Sequence, residues 1–203
     1  VGVPAKNQSL HGNVPDESPV VLLLIDVIND FEFEGAEEIR SNLLPIVASI
    51  AALKQKAKQA NIPVVYVNDN FGKWQSDFRK LLEHCLRKGG KGKEIVEQLQ
   101  PDEDDYFVLK PKHSGFYSTT LDVLLDYLNA KTLIMAGVTG NICVLFTAND
   151  AYMRDFHLVI PRDCVSSGSA EENDYAIQQM ATILKADTRP STELTFANRN
   201  IVE

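Results

Sequence analysis

Apolar residues in this chain follow two alternating patterns. Short, nearly unbroken runs occur at residues 20–26 (VVLLLID), 62–67 (IPVVYV), 106–110 (YFVLK), 132–137 (TLIMAG) and 157–163 (HLVIPRD), with a last candidate near 193–197. Such runs fit strands buried on both faces, as in parallel sheets. Between them the spacing turns helical. Residues 36–60 place Leu43, Leu44, Val47, Ile50, Ala51 and Leu53 on one face, with Pro45 at the start or at a bend. Further helices are expected at 118–129 and 171–186. Six strands alternating with helices predict an α/β fold: a doubly wound, Rossmann-like six-stranded parallel sheet with helices on both faces. Residues 1–18 read as a polar N-terminal arm and 19–203 as one domain.

The stretch at 133–150, LIMAGVTGNICVLFTAND, organises the rest. It starts as a strand, turns at Gly137 and resumes with helical spacing through Val144, Leu145, Ala148 and Ala151. Cys143 sits at the changeover. The first turn of a helix has unpaired N–H groups and the positive end of the dipole, so a thiol there is expected to lose its proton more easily. A cysteine at such a junction also serves as a small core filler. Cys85 and Cys164 keep that structural reading.

Composition narrows the field only broadly. With 203 residues, 44% hydrophobic and 24% charged, the chain suits one well-buried core. A net charge of −8 argues against a general affinity for nucleic acid. No apolar run approaches the roughly 20 residues needed to span a bilayer, so no membrane partner is expected. Three widely spaced cysteines make no disulfide framework, and a cytoplasmic location follows as the expectation. The irregular stretch at 69–105 carries seven basic residues and then PDEDD. It reads as a solvated excursion with short helices near 77–87 and 93–100, or as a lid or oligomer contact.

Ligands of open parallel sheets bind beyond the carboxyl ends of the strands. At that edge the first strand delivers Asp26, the third Lys110 and the fourth the turn with Cys143. A carboxylate, an ammonium and a thiol supply base, charge partner and nucleophile for covalent acyl transfer. The segments VVLLLIDVINDF, VLKPKHSGFYSTTLDVLL and AGVTGNICVLFTANDAYMRD resemble the three signature segments of the isochorismatase-like cysteine hydrolases. The resemblance runs from about residue 19 to 186, in the family's order and spacing.

That resemblance implies a catalytic triad of Asp26, Lys110 and Cys143 acting on a small amide or ureide through a thioester-type acyl-enzyme. It implies a cis peptide between Val138 and Thr139, and an oxyanion hole from the backbone N–H groups of Thr139 and Cys143. It also implies a homo-oligomer, dimer or tetramer. Two departures narrow it. Metal-dependent nicotinamidases carry Asp-x-His and a further His after the second strand, whereas this chain reads VNDNFGKWQSDF there, and His11, His84, His113 and His157 lack ligand spacing. No metal and no cofactor are expected. Isochorismatases proper lack a cysteine at the nucleophile position, so Cys143 favours C–N cleavage. A vinyl-ether hydrolase using Asp26 as acid, or a non-catalytic small-molecule-binding homologue, are the alternatives. Phe31, Asn70, Trp74, Phe116 and Tyr117 lie on loops at the active edge and are candidates for the substrate pocket.

Overall fold

A computed structural model describes residues 17–71 and 77–202. Five parallel strands form the main sheet: β1 (Val20–Ile25), β2 (Val64–Asp69), β3 (Tyr106–Lys110), β4 (Thr132–Val138) and β5 (His157–Val159), in the spatial order β3-β2-β1-β4-β5. The sixth, β6 (Val165–Ser166), pairs with the far end of β4, Gly137 opposite Val165 and Val138 opposite Ser166. Every residue of β1 is buried, which accounts for its unbroken apolar run.

Alternation divides β1 between two cores. Val20, Leu22 and Leu24 face one cluster; Val21, Leu23 and Ile25 face the other. The first cluster packs α1 (Ala36–Leu43), α2 (Val47–Gln59), α3 (Phe78–Cys85) and α4 (Lys93–Gln98). The second packs α5 (Leu121–Leu128), α6 (Leu145–Tyr152) and α7 (Ala170–Thr182). Helices therefore cover both faces, as expected. Pro45 falls in a 3₁₀ turn, Leu44–Ile46, that separates α1 from α2. The fixed φ and missing N–H of proline make it the natural place for that break.

The expected strand near 193–197 is real but belongs elsewhere. β7 (Thr195–Ala197) pairs antiparallel with β8 (Asn200–Val202) in a separate two-stranded ribbon. Asn198 and Arg199 both take positive φ, 47° and 64°, as a two-residue hairpin turn of this hand requires. The sixth strand of the main sheet is instead the two-residue β6, too short to leave a periodic signal.

The 69–105 stretch is more than a solvated excursion. Phe78, Cys85, Ile95, Val96 and Leu99 are all buried in the first core. The Tyr66 hydroxyl donates to the Leu99 carbonyl at 2.8 Å. Its acidic run closes back on α2: Lys54 lies 2.8 Å from Asp105, and Lys58 lies 3.0 Å from the same carboxylate. The side chain of Asp105 is only 1% exposed, so this clasp is a buried ion pair and not surface decoration. Residues 1–16 of the expected arm lie outside the described residues. Ser18 belongs to the fold: it is buried, and its N–H donates to the Leu128 carbonyl at 2.8 Å.

Candidate active site

The strand order reverses beside β1, and β1 and β4 flank that switch point. In such sheets the crevice outside their carboxyl ends is the binding position. Asp26 follows the last residue of β1 and takes φ 53°, a left-handed conformation that aspartate tolerates better than most residues. The strand ends there, and the carboxylate turns into the crevice. Its Oδ1 accepts the N–H of Asp69, the last residue of β2, at 2.7 Å. Its Oδ2 lies 2.7 Å from Nζ of Lys110.

Lys110 ends β3, two strand positions from β1 and so about 10 Å away. A long side chain is needed to cover that distance. It is fully buried along its length, and its ammonium meets Asp26, the Asp69 carboxylate at 3.8 Å and Sγ of Cys143 at 3.5 Å. Burial alone would lower the lysine's pKa. Asp26, the Cys143 sulfur and Asp69 outweigh it and hold Lys110 above its ordinary value.

The turn that carries Cys143 is tightly specified. Gly137 has φ +125°, and a Cβ there would fall 2.1 Å from the Ile25 carbonyl oxygen, so no other residue fits. The Val138–Thr139 peptide is cis. Residues Gly140–Val144 then form a π-helical turn, with the Val144 N–H donating to the Thr139 carbonyl at 3.0 Å. On one flank the Asn141 N–H donates to the Ser167 hydroxyl at 3.2 Å, and Ser167 donates to Asn173 at the same distance.

The electrostatics correct one expectation. Cys143 precedes α6 by two residues, and its thiol is pushed up to about 12, not down. Burial is the largest cause and the Asp26 carboxylate the next; Lys110 pulls the other way but with less effect. The resting group is therefore a neutral thiol facing a carboxylate. Cys85 and Cys164 are buried in the first core, as their structural reading requires.

The expected pocket residues disperse. Asn70 lines a cavity of about 170 Å³ together with Asp69, Phe71, Leu81 and His84. Phe31 is wholly buried in the first core, so it is packing and not pocket wall. Phe116 is buried too, against Phe156 and beneath the Arg154 guanidinium. Tyr117 is exposed, and Trp74 lies outside the described residues. Sequence reasoning weighted aromatic character, but the core uses aromatic rings just as readily.

It passed over Asp69, whose backbone and carboxylate both touch the triad; its signal was the strand end. It also missed that folding brings His84 to Asp30, 2.9 Å away, with Glu32 beside them. The Arg87 guanidinium pairs with Glu32 and contacts the His84 ring at 3.2 Å, so the group already holds a cation of its own.

A family model for the isochorismatase domain matches residues 20–188. The chain belongs to the isochorismatase family. It is 43% identical over 166 residues to an uncharacterized isochorismatase family protein, YaaI, of Bacillus subtilis, covering 82% of this chain and 91% of that one. To the isochorismatase of the same organism it is 31% identical over 172 residues, 83% of this chain but 54% of the relative. Among solved structures, N-carbamoylsarcosine amidase from Thermoplasma acidophilum superposes with a TM-score of 0.65 at 26% identity, covering 86% of this chain and 97% of that one. This is a family of hydrolases, with amidohydrolases among its members, and the six-stranded α/β sheet is its fold. No helix among the described residues is long and apolar enough to cross a membrane.

Proposed function

We propose that this protein hydrolyses a non-peptide C–N bond of a small amide or ureide, with Cys143 as nucleophile, Asp26 as proton carrier and Lys110 as their charge partner. One observation carries the reading. The Lys110 ammonium stands between the Asp26 carboxylate, at 2.7 Å, and the Cys143 sulfur, at 3.5 Å, in a site withdrawn from water. That is the arrangement an acyl transfer to sulfur needs.

In the first step the thiol proton passes to Asp26 as the sulfur bonds to the carbonyl carbon. The oxyanion is met by the N–H groups of Thr139 and Cys143, donors worth about 3 kcal/mol each in comparable holes. Asp26 then gives its proton to the departing nitrogen, and a thioester remains. Water attacks the thioester, Asp26 takes a proton from that water, and the sulfur leaves and recovers the proton. The balance is amide plus water to acid plus amine. We assign Asn70, whose N–H donates to the Lys110 carbonyl at 3.0 Å, as a substrate contact.

The test is a panel of primary amides and ureides with detection of released ammonia, run on wild type, Cys143→Ala and Asp26→Asn. Both variants are expected to lose turnover. Full activity in Cys143→Ala sinks the covalent mechanism. A second reading draws on the 31% identity to an isochorismatase. In it Asp26 protonates a vinyl ether and Cys143 stands by, so activity survives Cys143→Ala but not Asp26→Asn.

A further inference from the structure

Thr147 lies on α6, one turn beyond Cys143, and is wholly buried. Its hydroxyl donates to the Cys143 carbonyl at 2.7 Å. A threonine bonding four residues back is common in helices and means little alone. The second bond is of another kind. Gly115, five residues past Lys110 in the loop between β3 and α5, donates its N–H to the same Thr147 oxygen at 3.0 Å.

The approach is close. A Cβ on Gly115 would lie 2.8 Å from Val67 Cγ1 and 3.4 Å from Thr147 Cγ2. Near the same place, Ser114 donates to the Asp150 carboxylate, three residues further along α6. The His113 ring lies 5.6 Å from that of Phe146. Three consecutive loop residues thus engage three positions of one helical segment.

Lys110 and Cys143 need such a tie. Their strands are not neighbours: β2 and β1 stand between β3 and β4. Across the sheet, their relative position accumulates the twist and slack of three strand pairings. Through Gly115 and Thr147 the connection is two hydrogen bonds.

We propose that Thr147 is a positioning residue whose hydroxyl, supported by the Ser114–Asp150 bond, ties the nucleophile-bearing turn to the loop leading from Lys110 and so sets the 3.5 Å spacing between Lys110 and Cys143. The proposal rests on the covalent reading above for its consequence in catalysis, though the spacing itself can be probed without any substrate.

The probe is iodoacetamide. Labelling of Cys143 is followed by mass spectrometry across pH in wild type, Thr147→Val, Thr147→Ser and Asp150→Ala, with buried Cys85 and Cys164 as references. Kinetics on any amide turned over by wild type run in parallel. Valine keeps the volume and removes the hydroxyl. It is expected to move the Cys143 profile by about one pH unit or more and to cut kcat about 10–100-fold, with KM within about threefold, as small misplacements of reacting groups do. Serine restores both. Asp150→Ala, at a partly exposed site, gives a smaller shift of the same sign and carries the test if Thr147→Val does not fold.

A folded Thr147→Val with an unchanged labelling profile overturns the proposal. So does a shift that serine fails to rescue, since the methyl group and not the hydroxyl would then matter. If Thr147→Val does not fold, an unshifted Asp150→Ala overturns it. If wild type hydrolyses no amide or ureide, the reaction assignment fails while the labelling profile still decides the role of Thr147.

Discussion

Replacing Asp26 by asparagine separates two effects that the wild-type carboxylate combines. Asparagine keeps an oxygen for the Asp69 N–H, now bonded at 2.7 Å, but removes the negative charge beside Lys110. The Cys143 thiol stands at about 12 because burial and then Asp26 disfavour the thiolate against the pull of Lys110. Without that carboxylate the ammonium, 3.5 Å from sulfur, becomes the thiolate's partner. A unit charge about 4–5 Å away contributes about 3–4 kcal/mol at an effective dielectric near 20, or about 2–3 pH units. The titration of Cys143 should therefore fall to roughly 9–10, and the thiolate fraction at pH 8 should rise about 100–1000-fold. Iodoacetamide labelling, read peptide by peptide, measures this directly. Hydrolysis should move the opposite way, falling about 10²–10⁴-fold with the loss of the proton carrier. More thiolate with less catalysis is the signature. A labelling profile that stays put, or moves to higher pH, would refute the electrostatic account of the site.

Lys110→Met leaves Asp26 buried without its cation; urea unfolding should show a loss of about 3–5 kcal/mol, and an unchanged midpoint would contradict the ion pair. Gly137→Ala places a methyl group on the Ile25 carbonyl at a positive φ, and soluble folded protein should not be recovered. Cys143 and Cys164 are both pushed up to about 12, mainly by burial, whereas an unfolded thiol titrates near ~8.5. Below ~8.5 both states keep these protons; above it only the unfolded chain releases them, so stability falls as pH rises, by about 1.4 kcal/mol per unit for each thiol. Urea titrations from pH 8 to 10 should show that slope, and Cys164→Ala should reduce it by about half. Asp105→Ala removes the buried carboxylate that Lys54 and Lys58 share and leaves Lys54 only the exposed Asp102 and the Gln100 carbonyl, with an expected cost of about 1–3 kcal/mol; a loss below ~0.5 kcal/mol would mean the clasp is ordinary surface pairing.

Some of this architecture is legible because the physics is periodic. A run such as VVLLLI admits few environments other than a strand covered on both sides, and five such signals in alternation with helices leave little choice of fold class. Asp26, Lys110 and Cys143 were readable for a related reason: each stands at the carboxyl end of a strand or in the turn after one. What escaped reading is what depends on distance between segments far apart in the chain. The two-residue β6 has no period to detect. The burial of Asp105 depends on where α2 lies, and PDEDD alone looks solvated. Phe31 and Phe116 resemble pocket walls until packing shows that the core needs them. Thr147 is an ordinary threonine in a helical stretch until Gly115 is seen to reach it.

The protonation state of Cys143 is the sharpest case, and it bears on the proposed mechanism. From position alone, a thiol near a helix start should be acidic. In the folded site it is the reverse, pushed up to about 12. The two are reconciled by where the proton goes. Ionising Cys143 into solvent leaves a thiolate beside Asp26 in a buried site, and burial penalises that extra charge. Passing the proton to Asp26 instead changes carboxylate and thiol into carboxylic acid and thiolate. The sum of charges over Asp26, Lys110 and Cys143 is zero before the transfer and zero after it. The desolvation that raises the solution pKa therefore does not oppose the internal step, and Lys110 favours the anion in either location. A high pKa for loss to water and a ready nucleophile are compatible so long as the acceptor is the carboxylate held 2.7 Å from the same ammonium.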